Sequence, residues 1–430
     1  MDAGATAGPG GARHLPFSVV AKPTGAACNL DCTYCFYLSK ELLYDDGAQR
    51  MSQATVETYL RAYLDAQPDG DVTVAWQGGE PTMRGLDFFR TAVHLADDLK
   101  RPGQHITHTL QTNGTLLNDE WGAFLAENGF LVGLSIDGPQ PLHDAFRVNR
   151  AGRGSHAQVV RGWQVLRRHG VETNILCTVH SANQDSPREI YHYFVDELGA
   201  RYLQFIPIVE RVAPGEAAAA ENGWRGPEGR RILYQQTGDD VTSRSVVPAA
   251  WGAFLSGVFD EWVRRDVGTV FVQHIDTMLS AAFGIYSLCV HAPECGAALA
   301  VEHNGDVYSC DHFVEPQYLL GNTAEQSFVS MLESSRQRQF GSGKRTALTS
   351  QCRTCPVRWA CNGGCPKDRF AKSRDGEPGH DYLCEGYFAY FTHASAAVLR
   401  MRELIQDGRA PAEIMSDRRF LPADGVGGVH

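Results

Sequence analysis

The sequence predicts an α/β fold with parallel strands, followed by a smaller domain held together by metal ligation. Three observations carry that prediction. Strand-like and amphipathic helical stretches alternate between about residues 16 and 210. The residue types that carry chemistry fall just after the strand ends. Cysteines crowd into 289–384, where regular elements are scarce.

The predicted strands are FSVVAK (17–22), VTVAWQ (72–77), ITHTLQ (106–111), LVGLSID (131–137), VETNILCTV (171–179) and RYLQFIPI (201–208). Amphipathic stretches near 53–66, 86–100, 118–128, 156–169 and 186–198 lie between them, with Thr115, Ser155 and Ser186 placed as N-caps. Such βα units join parallel strands through right-handed crossovers. The pattern alone allows an open barrel or a wound sheet. In both, the carboxyl ends of the strands form the active face. Three cysteines follow strand one, GGEP (78–81) strand two, QTNG (111–114) strand three and SIDGP (135–139) strand four. Four loops therefore converge on one mouth.

Residues 211–247 break the alternation and read as a long loop; its basic run RGPEGRR (225–231) reads as solvated. Helices are expected at 250–265, 275–284 and 385–407. The expected organisation is a disordered leader (1–15), the α/β region with its long loop (16–247), a helical connector (248–284), a cysteine-rich domain with a C-terminal helix (285–407) and a frayed tail (408–430).

With 43% hydrophobic residues, 430 residues can bury a sizeable core. A net charge of -11 with no basic block argues against nucleic acid as a partner. No run of eighteen apolar residues predicts a membrane span. The first fifteen residues lack the apolar segment of a secretory signal. Twelve cysteines without export point to metal, not disulfides, and to the cytoplasm.

Cys28, Cys32 and Cys35 in CNLDCTYCFY can wrap one corner of an iron–sulfur cluster. Three ligands for four irons leave one iron open to a small molecule. The alternative, a zinc knuckle, lacks a local fourth ligand, because no His or Cys follows before His94. Cys289, Cys295, Cys310, Cys352, Cys355, Cys361, Cys365 and Cys384 make two sets of four, which suits two 4Fe-4S clusters or two zinc ions. Cys177, in the apolar strand NILCTV, reads as a small packed hydrophobe.

CNLDCTYC resembles the motif of the radical S-adenosylmethionine (SAM) enzymes. CRTCPVRWACNGGCPKDRF, followed by Cys384, resembles the SPASM extension of members that modify peptides and proteins. With CTYCFYLSKELLY, WQGGEPTM, LQTNGTLLNDEW and GLSIDGP, the chain from about 16 to 400 resembles an anaerobic sulfatase-maturating enzyme. The resemblance implies a partial (β/α)6 barrel, three 4Fe-4S clusters and SAM. It assigns Cys28, Cys32 and Cys35 to the cluster that binds SAM. Cys289, Cys295, Cys310 and Cys365 go to one auxiliary cluster; Cys352, Cys355, Cys361 and Cys384 go to the other. Gly78 and Gly79 would present backbone to the methionine amino end. Tyr34, Ser135, Arg147 and Val209 would line the SAM pocket, with Arg147 pairing the SAM carboxylate. The plainer readings are a turn residue for Ser135, a surface charge for Arg147 and core for Val209.

Asp311, after Cys310 in YSCDHF, matches the family's base; a solvated or supporting carboxylate is the plainer reading, and His312 and Asp276 are the other candidates. The implied reaction takes hydrogen from the Cβ of Cys or Ser in a sulfatase segment Cys/Ser-x-Pro/Ala-x-Arg. Loss of the thiol or hydroxyl proton and of one electron to a nearby cluster then gives a thioaldehyde or an aldehyde, and the thioaldehyde hydrolyses to formylglycine. The implied partners are an unfolded sulfatase polypeptide or peptide and an external one-electron donor such as flavodoxin or ferredoxin. The alternatives are a SPASM enzyme that forms a thioether or carbon–carbon crosslink in a short precursor peptide, and a non-catalytic metal-stabilised scaffold or electron carrier.

Overall fold

The computed structural model describes residues 17–44 and 50–420; the leader at 1–15 and the end of the tail, 421–430, lie outside the described residues. The six expected strands form as β1 (Ser18–Ala21), β2 (Gly70–Trp76), β3 (Gln104–Thr112), β4 (Leu131–Ser135), β5 (Glu172–Val179) and β6 (Tyr202–Pro207). They pair in sequence order, every neighbour parallel. Helices α1 (Gln53–Ala66), α2 (Leu86–Leu99) and α3 (Asp119–Glu127) connect the first four strands. Short α4 (Gln140–Asp144) and then α5 (His156–Arg168) follow β4, and α6 (Pro187–His192) follows β5. Their apolar faces cover the sheet, as the helical period of the sequence requires.

Caps form only partly as expected. Ser52 caps α1, accepting from Thr55 N at 3.1 Å. Asn118, not Thr115, caps α3 through Trp121 N at 3.0 Å. Thr115 accepts from Asn29 Nδ2 instead, at 2.8 Å. Ser155 and Ser186 hold the N-cap positions of α5 and α6 without a side-chain cap bond. The Ser155 hydroxyl donates to Arg147 O at 2.9 Å, so a tertiary contact takes the place of capping.

The sheet does not end with β6. Phe271–Val272 extends it beside β6, and Ala298–Val301 pairs parallel with β1 over four residues. Asp306–Tyr308 and Leu319–Asn322 continue it antiparallel. The cysteine-rich region therefore shares one ten-stranded sheet with the barrel. One buried cluster joins β1–β3 to α1, α2 and Phe328 and Met331 of the cysteine-rich region. The other joins β4–β6 to the helices Pro248–Arg265 and Cys384–Gln406. Those two helices cross closely: a Cβ on Gly386 would lie 2.2 Å from Pro248 O, and one on Gly252 2.6 Å from Gly386 O.

Two expectations are corrected here. Residues 211–247 are a long, mostly irregular segment, but a packed one, and Arg225 and Arg231 of the basic run are paired with Asp31 and not simply solvated. Arg211–Val212 pairs with Asp240–Val241, and Val212, Ala220, Trp224 and Tyr234 form a buried cluster of their own. The described part of the tail is also packed, with Ile414 of the 3-10 helix Pro411–Ser416 buried. Among the described residues no helix is long and apolar enough to cross a membrane.

Candidate active site

The three-cysteine loop lies beyond the carboxyl end of β1. Cys28 and Cys32 are buried and Cys35 half-buried, packed with Leu30, Tyr34 and Leu38. The neighbouring strand ends fasten this loop. Gly79 N donates to Gly25 O at 2.8 Å and Glu80 N to Ala27 O at 2.9 Å. A Cβ on Gly79 would lie 2.0 Å from Ala27 O, and Gly78 has a φ of +116°. The close approach these glycines permit is thus to the cysteine loop's own backbone. Glu80 is fully buried and accepts from Thr82 N, Thr82 Oγ1, Thr112 Oγ1 and Asn113 N, tying β2 to the end of β3. Asn113 Nδ2 in turn donates to Asn29 Oδ1 at 2.9 Å and lies 3.7 Å from Cys28 Sγ. Arg150 donates to Cys28 O at 2.7 Å.

No thiol in the chain is in a disulfide. Burial pushes the Cys32 thiol up to about 12 and the Cys28 thiol higher, and the neighbouring Cys35 sulfur pushes both the same way. A trio of buried thiols near one another becomes thiolate only against a compensating cation, which is the donor chemistry of a cluster. Among the described residues no three His, Cys, Asp or Glu side chains converge on one point as a single ion requires.

Beside the loop is a buried polar network built on Asp137 of SIDGP. Tyr34 Oη donates to Asp137 Oδ2 at 2.5 Å, and Arg147 Nε donates to the same oxygen at 2.7 Å. Arg147 Nη2 donates to Thr178 Oγ1 at 3.1 Å, and Thr178 N donates to Asp137 Oδ1 at 2.8 Å. Burial opposes the Asp137 charge, but Arg147 and the histidines around it hold its carboxyl far below the usual range. Arg147 is therefore buried and not a surface charge, and two of its nitrogens are committed within the protein. Ser135 sits at the end of β4 and accepts from Gln111 Nε2 at 2.9 Å. Val209 lies in the large core cluster, and Cys177 is fully buried in the same core.

Asp311 faces this mouth from the cysteine-rich region. Lys22, the residue after β1, is 2.9 Å from Asp311 Oδ1 and 3.0 Å from Glu302 Oε1. Tyr37 Oη donates a short hydrogen bond to Asp311 Oδ2 and accepts from Gln77 Nε2 at 2.8 Å. Burial favours the neutral acid, but Lys22, His312 and the Tyr37 hydroxyl outweigh it and hold the Asp311 carboxyl below its ordinary value. His312, beside the Phe36 ring, is brought down to about 4, chiefly by burial. Asp276 is elsewhere. It lines a cavity of about 390 Å³ with Leu131, Glu172 and Tyr202 at the amino ends of β4–β6, so the structure does not bring it to the cysteines.

The eight C-terminal cysteines separate into two neighbourhoods. The charge of Cys310 is felt with those of Cys365 and Cys289, and that of Cys295 with Cys289. Lys344, buried in the helix Ser335–Thr346, is brought down by burial and up by Cys365, Cys295 and Cys289. Its ammonium donates to Cys289 O, Val290 O and Ala292 O, shaping the loop between Cys289 and Cys295. Cys352, Cys355, Cys361 and Cys384 line a cavity of about 570 Å³. Cys365 thus lies near Cys310, while Cys352, Cys355, Cys361 and Cys384 share the cavity. The residues that sequence reasoning missed are Lys22, Tyr37, Gln77, Glu80, Asp137 and Glu302.

The radical SAM superfamily model matches residues 23–194, and the SPASM iron–sulfur cluster-binding domain model matches residues 293–356. A serine-type anaerobic sulfatase-maturating enzyme of Bacteroides thetaiotaomicron is 43% identical over 404 residues, 93% of this chain and 94% of that protein. The chain belongs to the anaerobic sulfatase-maturating enzymes. Within that family, the serine-type enzyme of Klebsiella pneumoniae is 36% identical over 88% of this chain and 87% of its own. The cysteine-type enzyme of Clostridium perfringens strain 13 is 30% identical over 91% of this chain and 100% of its own. The solved structure of native anSMEcpe with bound AdoMet matches with a TM-score of 0.76 and 29% identity, over 90% of this chain and all of that one. As a radical SAM enzyme of this family, the protein has a partial barrel joined to a SPASM domain, and its cofactors are SAM and three 4Fe-4S clusters.

Proposed function

We propose that this enzyme oxidises the Cβ of a serine or cysteine in a sulfatase Cys/Ser-x-Pro/Ala-x-Arg segment to formylglycine. The observation that carries the reading is the Lys22–Asp311–Tyr37 constellation, with its lysine buried, set between the three-cysteine loop and Cys310. Serine is favoured as the target, because the serine-type relatives share 43% and 36% identity and the cysteine-type relative 30%.

In this reading Cys28, Cys32 and Cys35 hold the cluster that binds SAM, and the two C-terminal sets hold the auxiliary clusters. Tyr34, Ser135 and Arg147 line the SAM side of the mouth. When bound, SAM and its cluster supply the radical that takes hydrogen from the substrate Cβ. Asp311 takes the hydroxyl or thiol proton, the remaining electron would pass to an auxiliary cluster, and from cysteine the thioaldehyde would then be hydrolysed by water with release of hydrogen sulfide. Lys22 keeps that carboxylate ionised, and the Tyr37 hydroxyl, itself fixed by Gln77, orients it. Glu302 shares the Lys22 charge, so that Asp311 still attracts a proton. Lys22 and Glu302 are buried behind the partly exposed Asp311, so that its carboxylate is the part of the set open to substrate. The partners are an unfolded sulfatase polypeptide and an external one-electron donor such as flavodoxin or ferredoxin, and the setting is the cytoplasm.

The test is anaerobic turnover of the reconstituted enzyme with two short peptides, one containing Ser-x-Pro-x-Arg and one Cys-x-Pro-x-Arg, read by mass spectrometry. Conversion to the aldehyde removes about 2 Da from serine and about 18 Da from cysteine. SAM cleavage with both peptide masses unchanged would sink the reading.

A further inference from the structure

The reaction leaves residues 211–247 and their basic run RGPEGRR unexplained. The structure gives them a target. Arg225 Nη2 donates to Asp31 Oδ2 at 2.7 Å, and Arg231 Nη2 donates to Asp31 Oδ1 at 2.6 Å. Asp31 lies between Cys28 and Cys32, so two guanidinium groups grip both oxygens of one carboxylate inside the cysteine loop. Arg231 also pairs with Glu41 at 3.2 Å. Arg230, one residue away, is exposed and, among the described residues, pairs with the exposed Glu228 at 3.7 Å.

The same segment is fastened further along. Tyr234 N donates to Ser39 Oγ at 3.0 Å, and Lys40 Nζ donates to Tyr234 O at 2.9 Å. Phe36 packs against the Trp224–Tyr234 cluster. Gln236 then crosses to the other wall, with its N donating to Glu315 Oε1 at 3.2 Å and its Nε2 to His312 O at 3.4 Å. The strap thus joins the three-cysteine loop to the stretch that carries Asp311. It is bent at Trp224, a buried bulky residue with a φ of +58°. The Trp224 indole donates to Glu210 Oε1 at 2.8 Å, and Glu210 is held by Arg244 at 3.0 Å. Backbone strain of this kind persists only where the surroundings over-determine it, and it gathers at functional sites.

We propose that residues 222–236 are a clamp over the radical site, with Arg225 and Arg231 as positioning residues that hold the cysteine loop and its roof in place through Asp31. The inference rests on the reaction proposed above. A carbon-centred radical made under an open roof takes hydrogen from solvent or buffer instead of substrate. The clamp therefore sets how tightly SAM cleavage is coupled to peptide oxidation.

The experiment measures 5′-deoxyadenosine and aldehyde peptide together for the cluster-loaded wild type, Arg230→Ala and the double variant Arg225→Ala/Arg231→Ala. Iron content and the change in the electron paramagnetic resonance (EPR) spectrum of the reduced cluster on adding SAM are recorded for each. Wild type and Arg230→Ala should stay close to stoichiometric. The double variant should cleave SAM while its ratio of 5′-deoxyadenosine to aldehyde rises about tenfold. Its EPR response to SAM should broaden, and Arg225→Lys/Arg231→Lys should restore much of the coupling. A protein that is merely destabilised loses both products in step. An unchanged ratio in the loaded double variant, or an equal rise in Arg230→Ala, overturns the clamp. If the double variant fails to load iron, Arg225→Ala alone decides by the same ratio, since it keeps one arm on Asp31. A wild type that cleaves SAM but never makes aldehyde defeats the proposed reaction; the clamp then stands or falls on the EPR broadening.

Discussion

Lys22 has almost no exposed surface, yet it carries a charge between two carboxylates, Glu302 and Asp311. A buried ammonium is tolerated only when paired, and this one is paired twice and lies 5.0 Å from the Tyr37 ring centre. Its net effect is to keep Asp311 anionic despite burial. Asp311→Asn keeps the shape but cannot accept the substrate proton. It should leave SAM cleavage near the wild-type rate and lower aldehyde formation by at least about a hundredfold, the usual range for a lost general base. Parallel chromatographic assay of the two products checks this, and an unchanged aldehyde yield would remove Asp311 from the base role. The sequence pointed to Asp311 only through the family resemblance of YSCDHF. Lys22, Tyr37 and Glu302 were not readable as its partners. They are separated from it by up to 289 residues or by a β-turn, and no periodicity links a strand-end lysine to a carboxylate in another region.

At the scale of elements, the ends of β2, β3 and β4 brace the cysteine loop through Gly79 and Glu80, Asn113 and Asp137, and Gly79 is the tightest of them. A methyl group there meets the Ala27 carbonyl, a backbone atom that cannot rotate away. Gly79→Ala should destabilise the protein by about 1–3 kcal/mol, as overpacking does, and lower iron retention at the three-cysteine site. Gly343→Ala is the control: it lies in the helix Ser335–Thr346 with nothing within 4 Å, and should be neutral or stabilising by about 0.5–1 kcal/mol. Thermal unfolding and iron analysis of the two variants separate the cases. The six strands and the long helices were readable, because alternation and the 3.6-residue period survive over whole elements. The strand Ala298–Val301 was not, because four apolar residues between cysteine loops look like a fragment. The order of 211–247 was hidden for a different reason. Its hold comes from Arg225 and Arg231 reaching Asp31 about 200 residues away, and a charge run in sequence looks the same whether it meets water or a distant carboxylate.

Across the whole molecule, acid should reach both cores together. His108 lies between Trp76 and Phe130 in the β1–β3 core, and its Nδ1 accepts from Trp76 Nε1 at 3.2 Å, which fixes it as neutral. His274 is buried against Trp251 in the core of β4–β6 and the C-terminal helices. His143 lies beneath the site and accepts from Asp137 N at 3.2 Å. Burial brings His108 and His274 down to about 4 and His143 down to about 3. An unfolded histidine titrates near 6.5. Between 6.5 and about 4 the unfolded chain therefore binds protons that the folded one refuses, so stability is complete above 6.5 and declines as pH falls through that window. At pH 5 each of the three contributes a loss of about 2 kcal/mol. The buried carboxylates Asp137, Glu302 and Asp311, all held below their ordinary values, add to the loss as the pH falls further. Urea unfolding of the cluster-loaded enzyme should then give a markedly lower midpoint at pH 5 than at pH 7.5. His108→Gln, which keeps an acceptor within reach of the Trp76 indole, should recover about 2 kcal/mol of the difference. A midpoint that does not move between those pH values would mean that these imidazoles can take up protons in the folded state, and that neither core is as closed to charge as their packing requires.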